Sequence, residues 1–223
     1  MRARVVTVVF LCAGLLTGPW AKPGHASWVS EHCHGDSRAE SSLKRVNARA
    51  YAGYAAHEGY EWGGGCWNND NRDDTRGAPD SGGEGPDCSG LVFKTWELRL
   101  TYGADGFRQY SRLQNVHGPY TAADFHGASG GGPFYVLPDK RRITTLYMDA
   151  FASTGHIAMI WSDSIPSGGG DYVVEAYDDA VGTQIDVRDY RANSSFRGVR
   201  RRQWTPDCYP RCRGGAPTLE VVA

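Results

Sequence analysis

His156-Ile157-Ala158-Met159-Ile160-Trp161 and Tyr172-Val173-Val174-Glu175-Ala176-Tyr177 are two apolar runs joined by a connection rich in serine, proline and glycine. With a turn near Ser164–Gly168 they read as an antiparallel hairpin, and that reading decides the fold. Further strand-like runs cover Ile143–Ala152, Gln184–Arg188 and Phe196–Trp204. Upstream, the pattern is helical. After Cys88 the apolar positions Leu91, Val92, Thr95 and Trp96 recur at helical spacing, which predicts a helix from Cys88 to about Leu100. An earlier helix, capped by Ser41 or Ser42, is expected to carry Leu43, Val46, Ala50, Tyr51 and Tyr54 on one face. Helices followed by a run of short strands predict an α+β fold, with N-terminal helices on a central antiparallel sheet of about five strands. Residues 63–87 read as loop, and 103–142, with Gly130-Gly131-Gly132-Pro133, as irregular.

The 223-residue chain carries 24 Lys+Arg against 25 Asp+Glu. Residues 1–26 have the form of a secretory signal peptide: Arg2 and Arg4, an uncharged stretch from Val5 to Leu16, then Gly24-His25-Ala26 at the cleavage position. A secreted, wall-associated protein is the expectation, with residues 27–42 as a lead-in and 205–223 as a tail. Arg2, Arg4 and Lys22 leave with the leader, so the remainder is mildly acidic, which gives nucleic-acid binding no support. No later run has the length of a membrane span. One domain, acting as a monomer, is the economical expectation.

Six cysteines are present, and Cys12 leaves with the leader. Of the five that remain, one is unpaired if the others form two bridges in an oxidising compartment. Cys88 is that one, because it opens a helix. Partial positive charge at a helix N-terminus and a nearby imidazole both favour a thiolate. Cys33, Cys66, Cys208 and Cys212 are the bridge candidates. Cys33 with Cys66 and Cys208 with Cys212 is one of three connectivities. His156, opening an apolar strand, is the matching base. Glu175 falls opposite or close to His156 in the hairpin, where a carboxylate can fix the imidazole tautomer and stabilise the imidazolium.

Tyr60-Glu61-Trp62-Gly63-Gly64, Asp87-Cys88-Ser89-Gly90-Leu91-Val92, Gly155-His156-Ile157-Ala158 and Phe196-Arg197-Gly198-Val199-Arg200-Arg201 together resemble the NlpC family of papain-like bacterial cell-wall peptidases. The likeness spans roughly residues 43–204. It implies a papain-like fold and hydrolysis of amide bonds in peptidoglycan stem peptides, commonly between D-glutamate and the diamino acid. It also implies that Tyr60, Asp87 and Ser89 line the site for the stem peptide's amino end, with no cofactor. A phenol, a carboxylate and a hydroxyl are acceptors suited to an ammonium group. Trp62 is expected to pack in the core. Three features depart from the family's pattern: the long acidic stretch from Gly65 to Asp87, the expanded 103–142, and glutamate where histidine is more usual as the third member. The strand bearing Glu175 after Gly-His-Ile-Ala also resembles the related CHAP amidases, so an amidase or acyl-transferring enzyme is the enzymatic rival. A wall-binding module with every cysteine bridged is the non-catalytic one.

Other features read as structural. His32-Cys33-His34 lacks a partner cluster at ligand spacing, so no metal site is expected. The Asn/Asp run at 68–74 lacks the glycine and terminal glutamate of a calcium loop. Arg200-Arg201-Arg202 reads as a charged strand end. Asn193-Ser194-Ser195 fits a glycosylation pattern that means little in a bacterial host. His57, His117 and His126 have no partner identifiable from sequence.

Overall fold

The computed structural model describes residues 43–67, 85–98 and 117–206. The leader, the lead-in, the tail, the 68–74 run and Cys33, Cys208 and Cys212 lie outside them. Of Cys66 only the backbone is described, so the expected bridges also lie outside.

Ten strands and three helices follow one another among the described residues. Six strands form one antiparallel sheet: β4 (Phe134–Val136), β5 (Ala150–Ala152), β6 (Ile157–Ile160), β7 (Asp171–Asp178), β8 (Gly182–Arg188) and β9 (Arg197–Arg201). Their spatial order is β4-β9-β5-β6-β7-β8. The fold is therefore α+β, with six sheet strands in place of the expected five. The extra one, β4, lies within 103–142 and pairs with β9 from Phe134↔Arg201 to Val136↔Val199. Two short pairs lie apart from this sheet. β1 (Leu43–Lys44) runs parallel to β10 (Trp204–Thr205), and β2 (Gly65–Cys66) runs antiparallel to β3 (Gly85–Pro86).

The expected hairpin forms, with Met159↔Val174 and Ile160↔Val173 paired. Continuing that register sets Glu175 across from Ala158, two residues along from His156 on the same face, a diagonal that a long side chain can span. The strand expected over 143–152 is shorter. Asp149 is fully buried, and its carboxylate accepts from the Leu146 N–H at 2.9 Å and pairs with Arg200 at 2.6 Å and Arg45 at 2.8 Å. The chain turns around that carboxylate, and only Ala150–Ala152 enter the ladder.

Helix α1 (Arg45–Gly53) buries Arg45, Ala48, Tyr51 and Ala52, whereas Val46 and Tyr54 are exposed. This corrects the expected face. The inward anchor is a charge: Arg45 reaches Asp149 and the Tyr147 carbonyl, and lies 4.6 Å over the Trp204 ring. Helix α2 (Cys88–Thr95) is apolar on nearly every side and is buried between α1 and the sheet. It stops five residues early. Glu97 takes φ 51°, its N–H donates to the Lys94 carbonyl, and the Leu98 N–H donates to the Phe93 carbonyl. That is a Schellman ending with glutamate in the left-handed position. Helix α3 (Ala122–His126) begins with a Thr121–Asp124 capping box and adds Phe125 to the ring cluster of Trp96, Tyr120 and Phe134.

The main core fills the α2 side of the sheet, where Leu91, Phe93 and Trp96 meet Ile157, Met159, Val174 and Ala176. A smaller cluster of Phe151, Ala158, Ile160, Val173 and Phe196 covers the other face, with Tyr190 packed against it.

Candidate functional site

Cys88 is the first residue of α2 because Asp87 caps the helix. Asp87 has extended backbone, and its Oδ1 accepts the Gly90 N–H at 2.6 Å. The helix start is seated on the Tyr60–Gly64 segment. The Asp87 N–H donates to the Gly64 carbonyl, and a Cβ on Gly90 would lie 2.0 Å from that same oxygen. The Ser-Gly after the cysteine and the Gly-Gly upstream are therefore one contact. It leaves no room for a side chain at Gly90.

Cys88 carries a free, half-buried thiol. The backbone N–H groups of Ile157, the residue after His156, and of Ser89 and Cys88 itself lie close enough to favour its thiolate. Burial, and next the charge of Asp87, push the thiol up to about 11, against these three N–H groups. This corrects the expectation of a resting thiolate: at neutral pH the group is a thiol.

His156 stands at the open start of β6, held by its N–H to the Ser153 hydroxyl at 3.0 Å and by the Ser153 N–H to its carbonyl at 2.8 Å. Its Nε2 lies 2.8 Å from Glu175 Oε2. Nδ1 has no hydrogen-bond partner among the described residues, so this edge of the ring is available to a thiol. Glu175 is 0% exposed, and its Oε1 and Oε2 also accept from Arg188 Nε at 2.6 Å and the Tyr190 hydroxyl at 2.8 Å. Burial alone would raise its pKa. The bonds from His156, Tyr190 and Arg188 and the His156 charge outweigh burial and hold the carboxyl below its usual range. Tyr177 and Tyr190 flank the His156 ring edge-on, with centroids at 5.9 and 5.8 Å.

Tyr60 is nearly buried, and its phenol is pushed well above the usual range by burial, then by Asp87 and Cys88. Ser89 is buried and donates to Asp87 Oδ1 at 3.1 Å. Trp62 is 57% exposed and does not pack in the core, which corrects that expectation. The buried indole of this region is Trp67, against Tyr51 at 4.9 Å.

His117 has the partners that sequence did not reveal. Its Nε2 lies 2.9 Å from Asp87 Oδ2 and 2.8 Å from Ser89 Oγ. The signal was its neighbour. Gly118 takes φ 87°, and a Cβ there would meet the Phe93 ring of α2 at 2.5 Å, so only glycine brings this segment to the helix.

A cleft of about 1190 Å³ lined by Arg45, Arg49, Tyr147, Ser162, Arg202 and Trp204 lies elsewhere, and none of Cys88, His156 or Glu175 lines it. Its guanidiniums are engaged: Arg45 and Arg200 on Asp149, Arg202 on the Gly132 carbonyl, and Arg49 over Trp161. Among the described residues no group of three or more His, Cys, Asp or Glu side chains could hold a metal ion, and no helix is long and apolar enough to cross a membrane.

No protein family, no curated protein and no solved structure matches this chain.

Proposed function

We propose that this protein is a secreted cysteine peptidase that hydrolyses amide bonds in peptidoglycan stem peptides, of the D-glutamyl–diamino acid endopeptidase type. The observation that carries the reading is a free thiol at a capped helix N-terminus, near the start of the strand opened by a histidine whose ring is bonded to a buried carboxylate.

The resting thiol assigns His156 the role of general base. As Cys88 Sγ attacks the amide carbon, Nδ1 takes the thiol proton and the carbonyl electrons move onto oxygen. Glu175 holds Nε2–H and stabilises the imidazolium. The N–H groups of Cys88 and Ser89, at the start of α2, are suited to receive the oxyanion. The imidazolium then protonates the leaving amine, the C–N bond breaks, and a thioester remains. Water, deprotonated by His156, attacks it and releases the acid. Tyr60, Asp87 and Ser89 would meet the stem peptide upstream of the cut, and a papain-like arrangement is part of the same proposal.

A second reading, a CHAP-like amidase, is favoured by the glutamate at the third position. Mass analysis of isolated wall after treatment separates the two. Stem fragments with a new amine on the diamino acid support the endopeptidase. Intact stems freed from glycan support the amidase.

A further inference from the structure

The acceptors suited to an ammonium group beside Cys88 are filled from within the chain. Asp87 Oδ1 receives the Gly90 N–H at 2.6 Å and the Ser89 hydroxyl at 3.1 Å, and Oδ2 receives the Gly63 N–H at 3.1 Å and His117 Nε2 at 2.9 Å. A carboxylate offers about four lone-pair positions, so none is left over. Ser89 gives its one proton to Asp87 and presents its oxygen to His117 Nε2 at 2.8 Å.

His117 Nδ1 lies 2.7 Å from the Gly118 carbonyl. Both ring nitrogens therefore face groups that only accept, the carbonyl on one side and the Asp87 carboxylate on the other. The imidazolium alone satisfies both. The direction of the His117 shift agrees: burial opposes the charge, while the bond and charge of Asp87 and the Gly118 carbonyl outweigh it and raise the value. Asp87 and His117 cancel one another, and the neighbouring Tyr60 is a neutral phenol. The ring keeps 23% of its side-chain surface open to solvent.

We infer that His117 is an internal cation occupying the ammonium position beside the nucleophile, and that the substrate is a stem peptide whose amino end is acylated, as it is while joined to glycan. The inference rests on the peptidase reading above and names its substrate class. A free amine brought to this position finds no uncompensated negative charge and no vacant acceptor. An acylated amino end carries no charge and requires no counter-ion there.

Two synthetic stem peptides of one sequence, one with a free amino terminus and one N-acetylated, test it. The protein should prefer the acetylated peptide in kcat/KM by about tenfold or more, since a free ammonium would lose its hydration without gaining a counter-charge. His117→Asn should narrow or reverse that ratio, chiefly through KM for the free amine. Preference for the free amine in the unaltered protein, or an unchanged ratio in a folded His117→Asn protein, overturns the inference. Ring-nitrogen NMR of the Cys88→Ser protein decides it without turnover. His117 should keep both ring protons above pH ~6.5, where an unperturbed histidine loses one, and should respond to the acetylated peptide more than to the free amine. A ring that titrates at or below that pH, or responds more to the free amine, overturns it. Cleavage of neither peptide counts against the peptidase reading alone.

Discussion

Three side chains converge on the two oxygens of Glu175: His156, Arg188 and Tyr190. The carboxylate is thereby fixed in place, and its charge is shared between the imidazole and a guanidinium. Glu175→Gln keeps the size and one acceptor but removes the charge that stabilises the imidazolium. Turnover should fall about tenfold to a thousandfold, read as kcat on a stem peptide. Tyr190→Phe removes one donor and should cost less, about tenfold at most. Glu175 also sets an acid limit on stability. Its folded value is depressed, so its contribution is present above the unfolded value near 4.5 and is lost as pH falls through the folded one. Urea unfolding from pH 6 down to 3 should show a steeper loss in the parent protein than in Glu175→Gln. At Cys88 the sign is opposite, since burial and Asp87 favour the neutral thiol. Alkylation by iodoacetamide without substrate should still be climbing at pH 9–10, with its midpoint near pH 11. Asp87→Asn keeps a capping oxygen but removes the negative charge, and should speed alkylation at pH 8.

Helix α2 is the element that makes the site, and its fit depends on glycine. Gly90→Ala would force a Cβ to 2.0 Å from the Gly64 carbonyl oxygen, a backbone atom that cannot step aside. The cost should be of order 1–3 kcal/mol in chemical unfolding, with a matching loss of activity as the helix start shifts. The start of α2 was legible in the sequence because its cap, its small residues and its apolar spacing agree. Its end was not, since a Schellman turn usually announces itself with glycine and here uses Glu97. The face of α1 was misread because Arg45 counts as polar in any periodicity and yet goes inward to Asp149. Strand β4 has three residues after a glycine run, too short for alternation to show. The hairpin of β6 and β7 was legible, and so was the pairing of His156 with Glu175, because strand alternation fixes which residues share a face. The contact of His117 with Asp87 depends on a link across 30 residues that no local pattern encodes.

At the scale of the molecule, the site collects residues from positions 60 to 175 at the seam between α2 and the open end of β6. Its charges therefore report on global folding. His117 has a raised value in the folded protein, so its pairing with Asp87 contributes fully below the unfolded value near 6.5 and is lost as pH rises through the folded one. The parent protein should lose stability over that window relative to His117→Asn, read as the difference between their urea midpoints from pH 6 to 9. Both faces of the sheet are covered, by α2 with the main core and by the Phe151–Phe196 cluster. The hairpin that bears His156 and Glu175 is thus packed on both faces, the support that a site for general-base chemistry needs. The central claim is that Cys88 attacks a stem-peptide amide. Its most direct test is hydrolysis of an N-acylated D-glutamyl–diamino acid peptide by the parent protein and by folded Cys88→Ser, followed by mass spectrometry. Cleavage at that amide by the parent, and none above background by the variant, is the expected result. Equal cleavage by both, or none by the parent, would contradict it.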